Sequence, residues 1–415
     1  MAKIREERTR IRKRRHYIRL AIGTTALLTI LIGFVLWINS VEIPVEDVPA
    51  ISSQPGFQMH GVDEMIIPEV EEELDTIQIV MVGDMLMHEP ILKSGLQEDG
   101  TYNFDHLFTN VKETIEKADL AIANQETIMG GADFGYTGYP SFNTPYELAD
   151  AEAKAGFDVL LFATNHAMDK GLRAIYNCMD YLDEKHPEMT YLGINRSQKD
   201  QNENIYVYEK NGMKIAILNY TYGTNGIPLP GGMPYLVNLL KEQKVRSDIQ
   251  KAEEIADFTI VCPHWGTEYN LGISNSQKKW VNIFLEEGVD LVIGAHPHVI
   301  EPIEWVTDES GHKMLVYYSL GNFVNGTSSE GHGVTNRMVG GMADVTLKRN
   351  EEGIVEVFEY DAIEIVCHMD VGCDYTVYYM EDYTEELASE NLIRKQDNEF
   401  SKALCESVFN QVWGE

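Results

Sequence analysis

From about Thr76 onward, short apolar β-branched runs alternate with amphipathic stretches. Runs bounded by turn residues read as strands at Ile77–Val82, Leu120–Ala123, Val159–Ala163, Phe258–Cys262 and Leu291–Ile293. Apolar positions recurring every three to four residues predict helices over Phe104–Lys117, Pro145–Ala155, Leu172–Glu184, Val245–Ile255 and Ser276–Glu287. Asn211-Gly212, between Ile205–Tyr208 and Lys214–Asn219, predicts a hairpin, because the pair tolerates the left-handed backbone of a tight turn. Beyond residue 300 the pattern changes. Glu301–Val306, Lys313–Tyr318, Arg337–Leu347 and Ile354–Ile363 read as antiparallel strands, and Met380–Glu390 and Ser401–Trp413 as acidic helices. Alternating strand and helix favours an α/β core with a substantial parallel portion, and the later strands suggest a second sheet. Ligands in such folds collect at the carboxyl ends of strands.

One apolar run is of another kind. Leu20–Ile38 carries no charge over 19 residues. As a helix it would extend roughly 28 Å, close to the hydrocarbon thickness of a bilayer. A cleaved signal peptide would have a shorter apolar region and a small-x-small site, and neither is present. Charge agrees with an anchor. The chain has 33 Lys and Arg against 66 Asp and Glu, a net −33 over 415 residues. Residues 1–19 hold nine basic and two acidic residues, about +7, which leaves about −40 for the remainder. The positive-inside rule then places 1–19 in the cytoplasm and 39–415 outside. The expected organisation is a basic cytoplasmic tail (1–19), a transmembrane anchor (20–38), an acidic Pro-containing linker (39–75), the α/β domain (76–365) and an acidic helical segment (366–415). Nucleic acid is excluded as a partner, since its phosphates require a surplus of Lys and Arg. Five Cys argue against a disulfide framework, although Cys367 and Cys373 are close enough for one local bridge.

The chemistry concentrates where strands end. The first strand runs into Gly83-Asp84 and His88, the second into Asn124-Gln125-Glu126, and the third into Asn165-His166 followed by Asp169. Two later strands end in His264-Trp265-Gly266-Thr267-Glu268 and in His296-Pro297-His298. Imidazole and carboxylate together suit borderline divalent ions such as Zn, Mn or Fe. Two such ions about 3.5–4 Å apart would need a bridging carboxylate with further ligands on each side. A lone His at a strand end is ordinary, but five successive strand ends with a carboxylate, an imidazole or an Asn form a signal. There is no P-loop, nucleophile elbow or dinucleotide-binding glycine motif.

Gly83-Asp84, Asn124-x-Glu126, Asn165-His166-x-x-Asp169-x-Gly171, His264-Trp265-Gly266-x-Glu268-Tyr269, Gly294-Ala295-His296-Pro297-His298 and Ser319-Leu320-Gly321-Asn322-Phe323 follow in that order. Together this set resembles the CapA family of bacterial capsule-synthesis proteins, associated with poly-γ-glutamate. The resemblance implies a calcineurin-like metallophosphoesterase fold: two facing β-sheets flanked by helices, preceded here by one transmembrane helix. It implies one or two divalent ions (Mn, Fe or Zn) held by Asp84, Glu126, Asn165, His166, His264, His296 and His298. Asn124, Glu268 and Asn322 would orient these ligands from behind, and His88, Asp169 and His166 would move protons. Two departures are visible: His88 lies four residues beyond Asp84 rather than two, and the bridging position holds Glu126 rather than Asp.

Three functions follow: a membrane-anchored outward-facing factor in capsule polymer synthesis or export, an extracellular metal-dependent phosphoesterase, or a non-catalytic polymer-binding scaffold. The expected partners are other membrane proteins of capsule synthesis and an anionic polymer or phosphoester substrate. A chain this acidic repels polyanions on average. Lys170, Arg173, Arg196 and Arg337 are the candidates for a local basic patch.

Overall fold

The computed structural model describes residues 75–326, 333–370 and 375–414. The expected anchor Leu20–Ile38, the linker 39–74 and Cys373 lie outside them. Among the described residues no helix is long and apolar enough to cross a membrane.

Fourteen strands are present among the described residues. They are β1 (Thr76–Leu86), β2 (Leu120–Asn124), β3 (Val159–Leu161), β4 (Thr190–Leu192), β5 (Tyr206–Lys210), β6 (Met213–Thr221), β7 (Phe258–His264), β8 (Leu291–Ile293), β9 (Ile303–Thr307), β10 (Lys313–Tyr317), β11 (Asn322–Asn325), β12 (Val339–Arg349), β13 (Val355–Met369) and β14 (Tyr375–Tyr379). They form two sheets, ordered β14-β13-β12-β1-β2-β3-β4, with β11 also on β1, and β5-β6-β7-β8-β10-β9. β1, β2, β3 and β4 are mutually parallel, as are β6, β7 and β8. The α/β two-sheet architecture expected from the sequence is therefore present.

The two-residue period of the strands explains the layering. In β1, Ile77, Ile79 and Met81 face one core, which they share with Ile215, Ile217, Ile260 and Ile293 of the second sheet. The intervening Val80 and Val82 face the opposite way, into a core with Phe104, Leu148 and Ile175 of the outer helices. In β6, likewise, Ile215 and Ile217 face the first sheet, whereas Ala216, Leu218 and Tyr220 pack under the helices Glu242–Ile255 and Asn275–Glu287. Helix, sheet, sheet and helix are thus stacked in four layers. Ser274 caps the helix Asn275–Glu287 in a reciprocal pair with Gln277, which fixes where that helix starts.

The C-terminal segment departs from expectation. β13 runs through the anticipated boundary at 365, and β14 pairs with it antiparallel. Phe400, Cys405, Val408 and Phe409 are buried in the same core as β1, so this acidic segment is part of the sheet and its cover. Its apolar positions need a partner, and the face of β12–β13 supplies one. The helix expected over 104–117 is broken into a 3-10 turn (Asp105–Leu107) and a short helix (Lys112–Lys117).

Candidate metal centre

Parallel strands aim their carboxyl ends the same way, and the two sheets bring five of these ends together. Gly83 permits this at the tightest point. A Cβ there would stand 2.0 Å from the carbonyl oxygen of Gly321. That carbonyl accepts the Asp84 backbone N–H at 2.9 Å, which joins β1 to the segment leading into β11.

Asp84 and Glu126 are both completely buried. Asp84 Oδ1 accepts the Asn124 side-chain amide (2.8 Å) and the His296 backbone N–H (3.1 Å), and its Oδ2 lies 3.0 Å from His298 Nδ1. Neither carboxylate oxygen of Glu126 has a hydrogen-bond partner. Its Oε1 lies 3.5 Å from His264 Nε2 and 3.7 Å from His298 Nε2. His264 Nε2 is bonded to Asn165 Oδ1 at 2.8 Å. His298 Nδ1 also meets Asn322 Oδ1 at 3.2 Å, and Asn322 Nδ2 donates to the His298 carbonyl at 3.1 Å. His296 leaves Nδ1 buried without a partner, its ring 4.8 Å from that of His264. His296 (φ 100°) and His298 (φ 58°) both have left-handed backbones. Non-glycine residues adopt this conformation at a cost of order 1–3 kcal/mol, and it concentrates at functional sites.

The electrostatics follow from crowding charge into a dry pocket. Burial, and next the negative charge of Glu126, raise the Asp84 carboxyl above its ordinary range. Burial also pushes Glu126 upward, but the imidazoles of His298 and His264 outweigh it and hold Glu126 ionised. For His298, burial favours the neutral ring, yet Glu126 and Asp84 prevail and raise it to about 9. Burial and the neighbouring His264 and His298 push His296 well down.

A carboxylate and an imidazole nitrogen buried without partners cost several kcal/mol unless something supplies the missing interaction. A divalent cation fits that requirement and this donor set. Ligand atoms of Glu126, His264 and His296 lie within 4.8 Å of one another, and so do those of Asp84, Glu126 and His298. The two groups share Glu126, the geometry of a bridging carboxylate between two positions. A third group joins Glu268 to His296 and His298, which brings Glu268 into ligand reach although the sequence reading placed it behind the ligands.

A cleft of about 550 Å³ opens over this centre and is lined by His88, His166, Asp169, His298, Asn322 and Arg337, among others. His166 falls outside the three ligand groups. Its Nδ1 is bonded to Asp169 Oδ2 at 2.7 Å, and its ring stands edge-on to Phe142. Asp169 Oδ2 also accepts the Phe142 backbone N–H at 2.7 Å, so this cleft-lining carboxylate ties the His166 ring to the Phe142 backbone. Burial, and next the charge of His298, lower His88 to about 4. Two side chains escaped the sequence reading. Asn225 Nδ2 reaches His166 Nδ1 at 3.4 Å, and Tyr222 packs 4.6 Å from the His296 ring. The signal was available: Tyr222-Gly223-Thr224-Asn225-Gly226 follows the end of β6, another parallel strand.

Of the four candidate cations, Arg173 is paired with Asp133 at 2.5 Å, and Arg196 with Asp180 (2.8 Å) and Asp183 (2.6 Å). Lys170 Nζ donates to Ser141 Oγ at the cleft edge (3.0 Å), and Arg337 lies within the cleft.

The chain is similar to several known proteins. The capsule biosynthesis protein CapA of Bacillus anthracis is 28% identical over 271 residues, 63% of this chain and 62% of that protein. The match thus spans less than two thirds of that relative's length. The PGA biosynthesis protein CapA of Bacillus subtilis is 26% identical over 304 residues, 70% of this chain and 73% of that protein. Among solved structures, the Haemophilus influenzae NAD nucleotidase aligns with a TM-score of 0.45 at 14% identity, covering 70% of this chain and 56% of that one. A 5'-nucleotidase precursor from Thermus thermophilus aligns at 0.41 and 13%, covering 81% and 58%. Residues 78–327, more than half of the sequence and the span that contains every candidate ligand, match the family model for the bacterial capsule synthesis protein PGA_cap, and the chain belongs to that family.

Proposed function

We propose that this protein is a membrane-anchored, outward-facing factor in capsule polymer synthesis or export, with a divalent-metal centre at its cleft. Family membership supports the capsule context. The uncharged run Leu20–Ile38 behind a basic tail supports the anchor and the topology. The observation that carries the metal centre is Glu126, a buried carboxylate with no hydrogen bond, set among His264, His296, His298 and Asp84. A poly-γ-glutamate-type polymer is the substrate class this reading favours. A centre rich in divalent charge also answers the repulsion that a net −33 chain exerts on a polyanion.

A second reading, an extracellular phosphoesterase, is favoured by the His166–Asp169 pair on the cleft. A bound divalent ion would supply Lewis-acid polarisation and a more acidic water. The chain's own residues would do the rest. Asp169 fixes the His166 ring through Nδ1, and Nε2 lies 3.5 Å from the Asn225 side-chain amide on the cleft wall. His88 lines the cleft with a neutral ring, which burial keeps from being protonated. Asn124 and Asn322 hold Asp84 and His298 in place.

The test is elemental analysis of the full chain, beside Glu126→Gln and a His166→Ala/His296→Ala double variant. One or two Mn, Fe or Zn per chain, lost in the variants, is expected. A folded wild type that takes up none of these metals on incubation refutes the metal centre. Release of nitrophenol from a nitrophenyl phosphodiester, abolished by Glu126→Gln, would select the phosphoesterase reading. Protease accessibility of residues 76–415 on intact protoplasts tests the orientation.

A further inference from the structure

Among the described residues, the large apolar side chains left exposed are not spread evenly. Tyr139, Ile227 and Tyr269 line the cleft, and Tyr222 packs on the His296 ring with 4.6 Å between centroids. Tyr139 is 73% exposed, Tyr222 48% and Tyr269 47%. These three tyrosines come from separate loops, after β2, β6 and β7. Two of them are tied by their own backbones to the segments that carry candidate ligands. The Tyr222 N–H donates to the His264 carbonyl at 3.0 Å, and the Tyr269 N–H to the carbonyl of Pro297, between His296 and His298, at 2.8 Å. Tyr269 holds a left-handed backbone (φ 63°), a conformation that costs a non-glycine residue and concentrates at functional sites. Its ring stands 6.0 Å from that of His298, and the Arg337 guanidinium lies over it, 3.7 Å from the centroid. Tyr139 packs on Phe142 at 6.4 Å, and Phe142 is itself edge-on to His166. A tyrosine face left in solvent adds nothing to the fold; several gathered at the mouth of one cleft mark a binding surface.

We propose that Tyr139, Tyr222 and Tyr269 form an aromatic collar that grips flat, uncharged amide links of an extended chain substrate on either side of the unit that reaches the metal centre. This deepens the reading above and rests on it for the polymer. Tyrosine presents a rigid apolar face and a polar tip, and only two side-chain torsions are frozen when it is covered. A chain with a net −33 repels carboxylates on average, and Asp169 and Glu268 on the cleft wall add to that repulsion. An amide plane carries no net charge and loses nothing to it. Away from the metal centre, recognition of an acidic polymer therefore falls to the links between its units rather than to its charged groups. The three rings rest on different neighbours, His296, His298 and Phe142. That layout suits groups repeated along a chain, whereas a single flat ring would be held best by two rings closed on it as a pair.

The test is isothermal titration of the full chain, with Mn²⁺ present, against free glutamate, a γ-linked glutamate hexamer and AMP. Tyr139→Ala, Tyr222→Ala, Tyr269→Ala and Tyr139→Phe are compared with wild type, and metal content and melting temperature are measured for each. Each alanine variant is expected to weaken hexamer binding roughly 5- to 30-fold, the worth of one stacked group, and to leave the affinity for free glutamate, which has no amide link, unchanged. Tyr139 is the most exposed of the three, so Tyr139→Ala should keep the wild-type metal content and melting temperature. Tyr139→Phe, which retains the ring face, should bind the hexamer nearly as wild type does. A Tyr139→Phe variant as weak as Tyr139→Ala would place the contact in the hydroxyl and overturn the stacking. Equal hexamer affinity in wild type and all three alanine variants overturns the collar and leaves the polymer reading standing; a wild type that binds no hexamer overturns both. Tyrosine-dependent binding of AMP, tighter than that of the hexamer, would assign the rings to a nucleobase and also overturn the proposal.

Discussion

Glu152 makes the chain's stability depend on pH in a direction opposite to ordinary acid denaturation. It sits in the helix Glu147–Ala155, fully buried, and neither carboxylate oxygen has a hydrogen-bond partner. Burial alone raises its carboxyl well above the ordinary value. The folded state therefore holds this proton at pH values where the unfolded chain, with a carboxyl near 4.5, has released it. A group of this kind contributes its full stability below the unfolded value and loses it as pH rises toward the folded value. The loss is about 1.36 kcal/mol for each pH unit between the unfolded and the folded value. Glu152→Gln has the same shape and no titration. With about 2.1 cal/mol/K of unfolding entropy per residue over the folded unit Thr76–Glu415, about 1.36 kcal/mol corresponds to a shift of about 2 °C. Melting curves at pH 5 and pH 7 provide the assay. The gain of Glu152→Gln over wild type should be larger at pH 7 than at pH 5, by about 2 °C for each pH unit that lies below the folded value, because all other titrations cancel in the difference. Glu152→Met, which removes the unpartnered polar group altogether, should stabilise at both pH values. A Glu152→Gln difference that does not change between the two pH values, or a lower melting point at pH 7, refutes the reasoning.

Three further outcomes are expected. Metal added at a hundred times its dissociation constant should stabilise the chain by about 2.7 kcal/mol, and Glu126→Gln should remove that increment; a wild-type melting temperature indifferent to Mn²⁺, Zn²⁺ and Fe²⁺ would contradict the site. Asn322→Ala, which strips His298 of a partner while leaving every ligand in place, should weaken metal affinity roughly 10- to 100-fold as measured by competition with a chelator. Gly83→Ala forces a methyl group to within 2.0 Å of the Gly321 carbonyl, so it should destabilise by roughly 1–3 kcal/mol in urea unfolding and lower metal content as Asp84 shifts; unchanged stability would mean that β1 and β11 are less tightly joined than described.

Much of this was legible in the residues. A strand alternates its faces every residue, so the apolar β-branched runs at 77, 120, 258 and 291 announced themselves, and the polar residues after each run marked the site. Strand-end position and the family resemblance together pointed to Asp84, Glu126, Asn165, His166, His264, His296 and His298; the structure gathers Asp84, Glu126, His264, His296 and His298 into the ligand groups, with Asn165 bonded to His264 and His166 on the cleft. Three-residue β4, four-residue β11 and five-residue β14 were not visible; they are strands because a neighbouring edge offers them hydrogen bonds. The acidic C-terminus looked like a separate helical segment, because its few apolar positions acquire meaning only against β12 and β13. The charges divided in the same way. The sequence marked Lys170, Arg173, Arg196 and Arg337 alike, and only three-dimensional proximity bound two of them to aspartates and set Arg337 on Tyr269 inside the cleft. Glu152 shows the same limit, since nothing around it distinguishes a surface carboxylate from one sealed under a helix. Local pattern determined the strand ends and the ligand types, because backbone period and side-chain chemistry are local properties. Burial, pairing and the meeting of residues far apart in the chain belonged to tertiary structure, because they depend on which surfaces the packed sheets bring face to face.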